Sequence, residues 1–211
     1  MTDPHAHYGA GYLTRDRWLS YVTQVTTLRD VNPRRVAEIG IGPGVVGSMI
    51  KASYPGCEYV SVDVDQTLSP DVCASVTALP FSDAALDAVF CCQVLEHLPY
   101  DLFIPAMVEL RRVVSSRVVI SLPDESPFFF FRARGLRRML PSLWNGISLP
   151  SPFPQRHIFE AHGQHYWEIG KKDFPIGRIL TDISRSDLVL KSHFRMVERP
   201  YWHFFILDRK A

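Results

Sequence analysis

The densest chemical signal in this 211-residue chain is the glycine-punctuated run Val36-Ala-Glu-Ile-Gly-Ile-Gly-Pro-Gly-Val-Val-Gly47. Glycines at this spacing let a backbone turn tightly and come close to a ligand, where a Cβ would stand in the way. An apolar strand entering such a turn and a helix leaving it form the usual seat of a nucleotide-like cofactor. One reading is Gly42-x-Gly44-x-x-Gly47 with Asp63 about twenty residues on, the dinucleotide fingerprint. A second is Glu38-x-Gly40-x-Gly42-x-Gly44, an acid ahead of three glycines, and a third is a tight turn with no ligand. The turn alone does not choose. Further on, His97 and the run His165-Tyr166-Trp167-Glu168 offer side chains able to take a hydroxyl proton near neutral pH.

The elements that must position these groups follow from the apolar spacing. Trp18, Tyr21, Val22, Val25 and Leu28 recur as one helix face between Leu13 and Leu28, and Asn32-Pro33 ends it. Val36 to Ile39 reads as a buried strand, with a helix following to about Tyr54. Tyr59 to Val62 is a second strand ending at Asp63 and Asp65, where an acid can take two ribose hydroxyls. Gln66 to Ala78, broken by Pro70, is too short for a full crossover helix and a long third strand. Leu86 to Cys92 is another apolar strand, and its carboxyl end, Gln93 to His97, faces the ligand crevice of an open parallel sheet. A helix over Pro105 to Arg112 and a strand over Val118 to Leu122 follow. From Pro123 to about Trp167 the period is lost, which suggests an inserted cap. A helix over Pro175 to Ile183 and two extended runs, Phe194 to Val197 and His203 to Leu207, predict an antiparallel hairpin at the sheet edge. The expectation is an α/β protein with one domain over 1–211, a helical segment over 1–32 and a cap over 124–168.

Composition narrows the partners. A net charge of +1 with 46% hydrophobic residues does not suggest a polyanion-binding or disordered chain, and no RNA-binding motif accompanies the local basic cluster, so nucleic acid is not expected. Cys57, Cys73, Cys91 and Cys92 lack paired spacing and read as reduced small residues. The histidines show no metal-ligand spacing, although His157, His162 and His165 lie close together; no metal is expected. With no signal-like start and no apolar run near the roughly 20 residues that span a bilayer, the expected location is cytoplasmic.

From about Trp18 to Leu122 the chain resembles the class I methyltransferases that use S-adenosyl-L-methionine (SAM), in the type 11-like group related to the ubiquinone and menaquinone methyltransferases. The likeness rests on Val36-Ala-Glu-Ile-Gly-Ile-Gly-Pro-Gly44, Val62-Asp63, Leu79-Pro-Phe-Ser-Asp-Ala-Ala-Leu-Asp-Ala-Val-Phe90, Val94-Leu-Glu-His-Leu-Pro99 and Glu109-Leu-Arg-Arg-Val113, in family order and spacing. A helix ahead of the first strand is common in that family, and the closing hairpin fits its reversed seventh strand. The resemblance implies a Rossmann-like seven-stranded, mostly parallel sheet, and SAM as cofactor. It implies that Glu38 and the backbone of Gly40, Gly42 and Gly44 hold the methionine part, that Asp63 takes the ribose hydroxyls, and that Cys92 and Gln93 lie near the sulfonium. Relatives usually carry an acid for the adenine amine a few residues before Leu-Pro-Phe, where this chain has Ser75. A neutral acceptor makes a bond about half as strong, which leaves more of the adenine to the backbone of Val76 and to Val64 and Leu79. The segments His165 to Lys171 and Pro200 to Phe205 also resemble a bacterial methyltransferase subgroup with no reaction attached.

Methyl transfer from a sulfonium is an in-line displacement, so a protein of this kind supplies orientation and, for an alcohol, a base. His97 is one candidate base, although its segment is shared by relatives with diverse acceptors. His165, Tyr166 and Glu168 are the rival set, which suits a sugar or ring-shaped acceptor unless Tyr166 and Trp167 only anchor the cap. The expected partner is a small-molecule acceptor, with a sugar or glycolipid hydroxyl leading. Phe128 to Phe131 beside Arg132, Arg134, Arg137 and Arg138 suggest peripheral contact with an anionic membrane or a phosphorylated acceptor over 128–140, against the plainer reading of an amphipathic helix packed on the domain. The alternative functions are a non-catalytic SAM-fold protein acting through partner or membrane binding, and a nicotinamide oxidoreductase. The latter is opposed by the downstream motifs and by the lack of a recognisable hydride-transfer dyad.

Overall fold

The computed structural model describes residues 8–9, 11–130, 147–149, 155, 157 and 165–210. In chain order the elements are helix α1 (Arg15–Thr26), strand β1 (Arg35–Ile39), helix α2 (Val45–Ser53), strands β2 (Glu58–Asp63), β3 (Val72–Cys73) and β4 (Leu86–Cys92), helix α3 (Phe103–Val113), strands β5 (Val114–Pro123), β6 (Phe128–Phe129) and β7 (Ile147–Ser148), helix α4 (Ile176–Ser184), and strands β8 (Leu188–Arg195) and β9 (Trp202–Arg209). Seven of the strands form one sheet in the order β3-β2-β1-β4-β5-β9-β8. The first five run parallel, β9 is antiparallel to β5, and β8 is antiparallel to β9.

Side-chain alternation on the central strands divides the core into two layers. Val36 of β1 and Ala88 and Phe90 of β4 pack with Val25, Leu28, Val46 and Ile50 from the α1 and α2 side. Ala37, Ile39, Val89 and Cys91 face the other way, against Ala106, Met107, Leu110, Ile179 and Ile183 of α3 and α4. Both faces being covered, these strands read as unbroken apolar runs. The chain steps outward from β1 to β2 and β3, then returns to β4 on the other flank, so the strand order reverses between β1 and β4. That reversal opens the crevice where ligands bind in such sheets. The register places Ile39 opposite both Val62 and Cys91, so Gly40 follows the end of β1 beside Asp63 and Cys92, the last residues of β2 and β4.

The short segment after β2 holds a single 3-10 turn (Gln66–Leu68) and the two-residue β3, the abbreviated crossover expected. The closing hairpin needs correction. Its first strand spans Leu188–Arg195, not Phe194 to Val197, and its second extends to Trp202–Arg209. β8 is the outer strand and is mostly exposed, so its sequence, Leu-Val-Leu-Lys-Ser-His-Phe-Arg, needs to pair rather than to be apolar. A search for apolar runs passes over such an edge. In the segment expected as a cap, Phe128 and Phe129 pair antiparallel with Ser148 and Ile147. Its root is pinned by an isolated parallel bridge between Asp124 and Ile169. Phe131, Arg132, Arg134, Arg137 and Arg138 lie outside the described residues, as does most of 128–140.

Candidate functional site

Gly40, Gly42 and Gly44 all have positive φ (78°, 48° and 70°), a region other residues enter only at a cost. The reasons differ between the first and the last. A Cβ on Gly40 would collide with Val94 Cγ2, whereas one on Gly44 would meet nothing within 4 Å. Gly40 is required by packing against the segment after β4, and Gly44 by its left-handed dihedrals at the head of α2. Asp63 ties the turn to β2: its Oδ2 accepts from Ile41 N at 3.0 Å and its Oδ1 from Asp65 N at 3.0 Å. Each carboxylate oxygen keeps acceptor capacity, so Asp63 is a placed acid at the crevice.

Glu38 is 6% exposed and accepts a hydrogen bond from the Tyr59 hydroxyl on Oε2. Burial pushes its carboxyl up to about 8, against the Tyr59 hydrogen bond, and the nearby Asp63 charge adds to the rise. Among the described residues it forms no ion pair. A buried acid of this kind beside a glycine cradle fits a ligand that brings its own ammonium, as SAM does. Gly47 serves the same arrangement, since a Cβ there would meet the Tyr59 ring at 2.5 Å.

The remaining cofactor candidates line the same edge. Val64 is 70% exposed, and Val76 and Leu79 are buried. Ser75 Oγ lies 2.9 Å from Thr77 Oγ1 and accepts from Thr77 N at 3.3 Å, so the hydroxyl at the position where the resemblance implies an acid is already engaged locally. Cys92 ends β4, and Gln93 follows with a φ of 56°. Gln93 is held by β5 through its backbone N to Ser121 O at 2.9 Å and its Nε2 to Ser121 Oγ at 3.2 Å. Sequence reasoning passed over Tyr8, whose Cε1 would lie 3.8 Å from a Cβ on Gly42. Tyr8 packs edge-on against Tyr12 at 4.9 Å, and the Arg17 guanidinium sits 3.6 Å from the Tyr12 ring centroid. The only hint in the sequence was the aromatic content of the first dozen residues.

The two rival sets of candidate bases converge. The His97 and His165 rings meet edge to face at 4.9 Å. His165 Nδ1 lies 2.8 Å from Glu168 Oε1, and the Tyr201 hydroxyl donates to the same oxygen at 2.6 Å. The Glu168 hydrogen bond raises the His165 pKa above the ordinary 6.5, against the pull of burial, with Glu96 and Glu168 adding charge. Glu168 stays below its ordinary value although burial pushes it up, because His165 and Tyr201 bond the charged form. Tyr166 and Trp167 separate in role. Trp167 is fully buried and donates from Nε1 to Leu98 O at 3.1 Å, anchoring the segment, whereas Tyr166 is 45% exposed. Two members of this cluster were missed. Tyr201 arrives from the turn before β9. Glu96 is wholly buried with neither carboxylate oxygen hydrogen-bonded, and burial pushes its carboxyl up to about 8. Glu96, His97 and His165 each bring a ligand atom within 4.8 Å of the other two, a grouping their spacing in the sequence had given no reason to expect.

Residues 37–121 match the family model described as a methyltransferase domain. The magnesium protoporphyrin IX methyltransferase of Synechocystis PCC 6803, solved with bound S-adenosylhomocysteine (SAH), superposes with a TM-score of 0.59 at 13% identity, covering 91% of this chain and 83% of that one. The 1,6-didemethyltoxoflavin-N1-methyltransferase of Burkholderia thailandensis, solved with its substrate and SAH, gives 0.56 at 14% identity over 100% and 92%. The [4+2]-cyclase SpnF gives 0.54 at 11% over 84% and 74%, so the fold by itself does not name a reaction. No curated protein sequence matches the chain. Residues 37–121 thus match a methyltransferase domain, and the seven-stranded sheet around them has the class I methyltransferase fold. The Synechocystis enzyme has also been solved with bound S-adenosylmethionine.

Proposed function

We propose that the protein methylates an oxygen of a small-molecule acceptor seated between the carboxyl end of β4 and the His165–Glu168 segment, with a sugar or glycolipid hydroxyl as the first class to test. The observation that supports this reading best is the imidazole of His165, with Nδ1 on Glu168 and the His97 ring beside it. With its Nδ1 proton directed at Glu168, His165 presents Nε2 as the proton acceptor, the arrangement that orients a catalytic imidazole. Exposed Tyr166 offers an aromatic face for a ring-shaped acceptor. The Burkholderia enzyme is named as an N1-methyltransferase of 1,6-didemethyltoxoflavin, which supports a small-molecule acceptor here without bearing on the acceptor atom.

In the same reading Glu38 holds the amino group of SAM, the backbone of Gly40, Gly42 and Gly44 lies along its methionine part, and Asp63 takes the ribose hydroxyls. Val64, Ser75, Val76 and Leu79 would hold the adenine, and Cys92 and Gln93 would stand nearest the sulfonium. Bound SAM supplies an electrophilic methyl carbon; the chain's residues orient the acceptor and hold its proton on His165. The Phe/Arg segment on which a membrane-binding reading would rest lies mostly outside the described residues, and no helix among those residues is long and apolar enough to cross a membrane.

Calorimetric titration with SAH, followed by transfer of a labelled methyl to a panel of sugars and phenols, tests the reading. Asp63→Ala should weaken SAH binding by about tenfold or more, the loss of charge-assisted hydrogen bonds worth about 1.5–3 kcal/mol. His165→Ala should spare SAH binding and abolish transfer. Transfer that persists in His165→Ala, or goes only to nitrogen or carbon acceptors, would overturn the assignment.

A further inference from the structure

Glu96 is the buried acid that methyl transfer, as derived above, does not use. It is 0% exposed and both of its oxygens are buried without a hydrogen-bond partner, an arrangement that is unfavourable for a carboxylate unless a cation completes it. Its neighbours are suited to do so with a metal between them. His97 follows it in the 3-10 turn Leu95–His97, and His165 reaches the same point from beyond the insertion, tied there by the backbone bond from Tyr166 N to Glu96 O at 2.8 Å. One ligand atom from each of the three lies within 4.8 Å of the others. A second feature is independent of that proximity. His165 Nδ1 is engaged by Glu168 at 2.8 Å, and Glu168 is in turn held by the Tyr201 hydroxyl at 2.6 Å and approached by Lys171 Nζ at 3.8 Å. A carboxylate behind the imidazole is the outer partner that metal-binding histidines almost always have, because it fixes the tautomer and turns the free nitrogen toward the ion.

We propose that Glu96, His97 and His165 form a site for one borderline divalent cation of the Zn2+ class. Two imidazoles and one carboxylate suit Zn2+, Co2+ or Fe2+ better than the oxygen-preferring Ca2+ or Mg2+. Glu96 is buried, His165 half-buried and His97 exposed, so the ion faces the crevice with coordination positions open, as catalytic rather than closed structural sites do. Binding of the ion stands apart from the reading of the reaction. Its use rests on that reading: an acceptor oxygen in the open position would lose its proton more readily, and His165 would then act as a ligand instead of a base.

The test uses chelator-treated full-length protein titrated with Co2+, followed by its visible d–d absorption and by calorimetry, with Zn2+ as competitor and SAH binding measured alongside. One equivalent of Co2+ per chain is expected, displaced by Zn2+. Affinity should fall by about 10–100-fold in Glu168→Gln, and by at least as much in Glu96→Gln, His97→Ala and His165→Ala, with SAH binding retained. Protein that binds SAH but no Co2+ overturns the metal site and leaves the methyltransferase reading intact. Co2+ binding unchanged in Glu96→Gln and in His97→Ala, the exposed position least able to disturb folding, overturns it equally. Co2+ binding without SAH binding would instead support the site and remove the cofactor reading.

Discussion

Glu38→Gln should make the protein more stable in alkaline solution while weakening its hold on the cofactor. The carboxyl titrates at its ordinary 4.5 in the unfolded chain and at about 8 in the fold, chiefly because it is buried. A folded-state value above the unfolded one means the stabilising contribution is complete below pH 4.5 and is lost as pH rises through 8. At about 1.4 kcal/mol per pH unit, that gap amounts to about 5 kcal/mol as an upper bound, since water entry and relaxation reduce it. Glutamine keeps the shape and can accept the Tyr59 hydrogen bond but has no proton to lose. Urea unfolding of both proteins at about pH 5 and about pH 8.5 should give near-equal stabilities at the acid point and a variant favoured by several kcal/mol at the alkaline one. Glu96, also pushed up to about 8 by burial, titrates in both proteins and cancels in the difference. Adding SAM should recover the alkaline loss in the wild type more than in the variant, because its ammonium partners the ionised carboxylate. Parallel stability profiles for the two proteins would refute the reasoning, for they would mean that Glu38 is already ionised, or stays solvated, throughout the range.

Gly40→Ala should cost about 2–4 kcal/mol, combining left-handed strain with the collision against Val94, whereas Gly44→Ala, with no atom within 4 Å of the added carbon, should cost only about 1 kcal/mol. Thermal melts of the two variants check this, and equal losses would remove Val94 packing as the cause. Asp124→Ala should destabilise by about 3–5 kcal/mol in urea, because it strips the partner from a buried Arg195 guanidinium 3.6 Å away and from His203 at 2.8 Å. A loss below about 1 kcal/mol would show that the backbone carbonyls of Asp124, Ser126 and Pro200 suffice for Arg195.

The proposed cofactor half of the site could be drawn from the sequence because its parts are local. A strand, three glycines and the next strand's acid are consecutive events, and parallel pairing of β1 with β2 must bring Gly40 and Asp63 to one edge. The motif Glu109-Leu-Arg-Arg was legible as family signature, but its work is structural. Arg112 bonds Phe81 O at 2.7 Å and Asp83 at 2.9 Å, and Glu109 receives Leu79 N at 2.7 Å, so the pair stitches the Leu-Pro-Phe loop to α3. The edge strand β8 was misplaced because an outer strand needs backbone partners more than apolar side chains. Tyr8 was missed because a ring covering a glycine turn leaves no periodic trace.

The proposed acceptor half was obscure for a different physical reason. Its groups come from three separate stretches, after β4, after the insertion and before β9, and their meeting depends on pairings that no local pattern encodes. Antiparallel β9 sets Trp202 against Pro123, which brings Tyr201 beside the strand end from which the insertion departs. The Asp124–Ile169 bridge returns the chain at that same point, with Ile169 N donating to Pro123 O at 3.0 Å and Glu125 N to Ile169 O at 2.9 Å. Trp167, buried against Tyr100 and Phe103 with ring centroids 4.9 and 5.3 Å away, locks the returning segment, so His165 and Glu168 are placed by a core residue between them. Position in such a site is conferred by the packing of Trp167 and by the bridge, while chemistry is conferred by the histidines and acids. Trp167→Ala should therefore lower methyl transfer as His165→Ala does while leaving SAH binding unchanged, and transfer unchanged in Trp167→Ala would refute this placement.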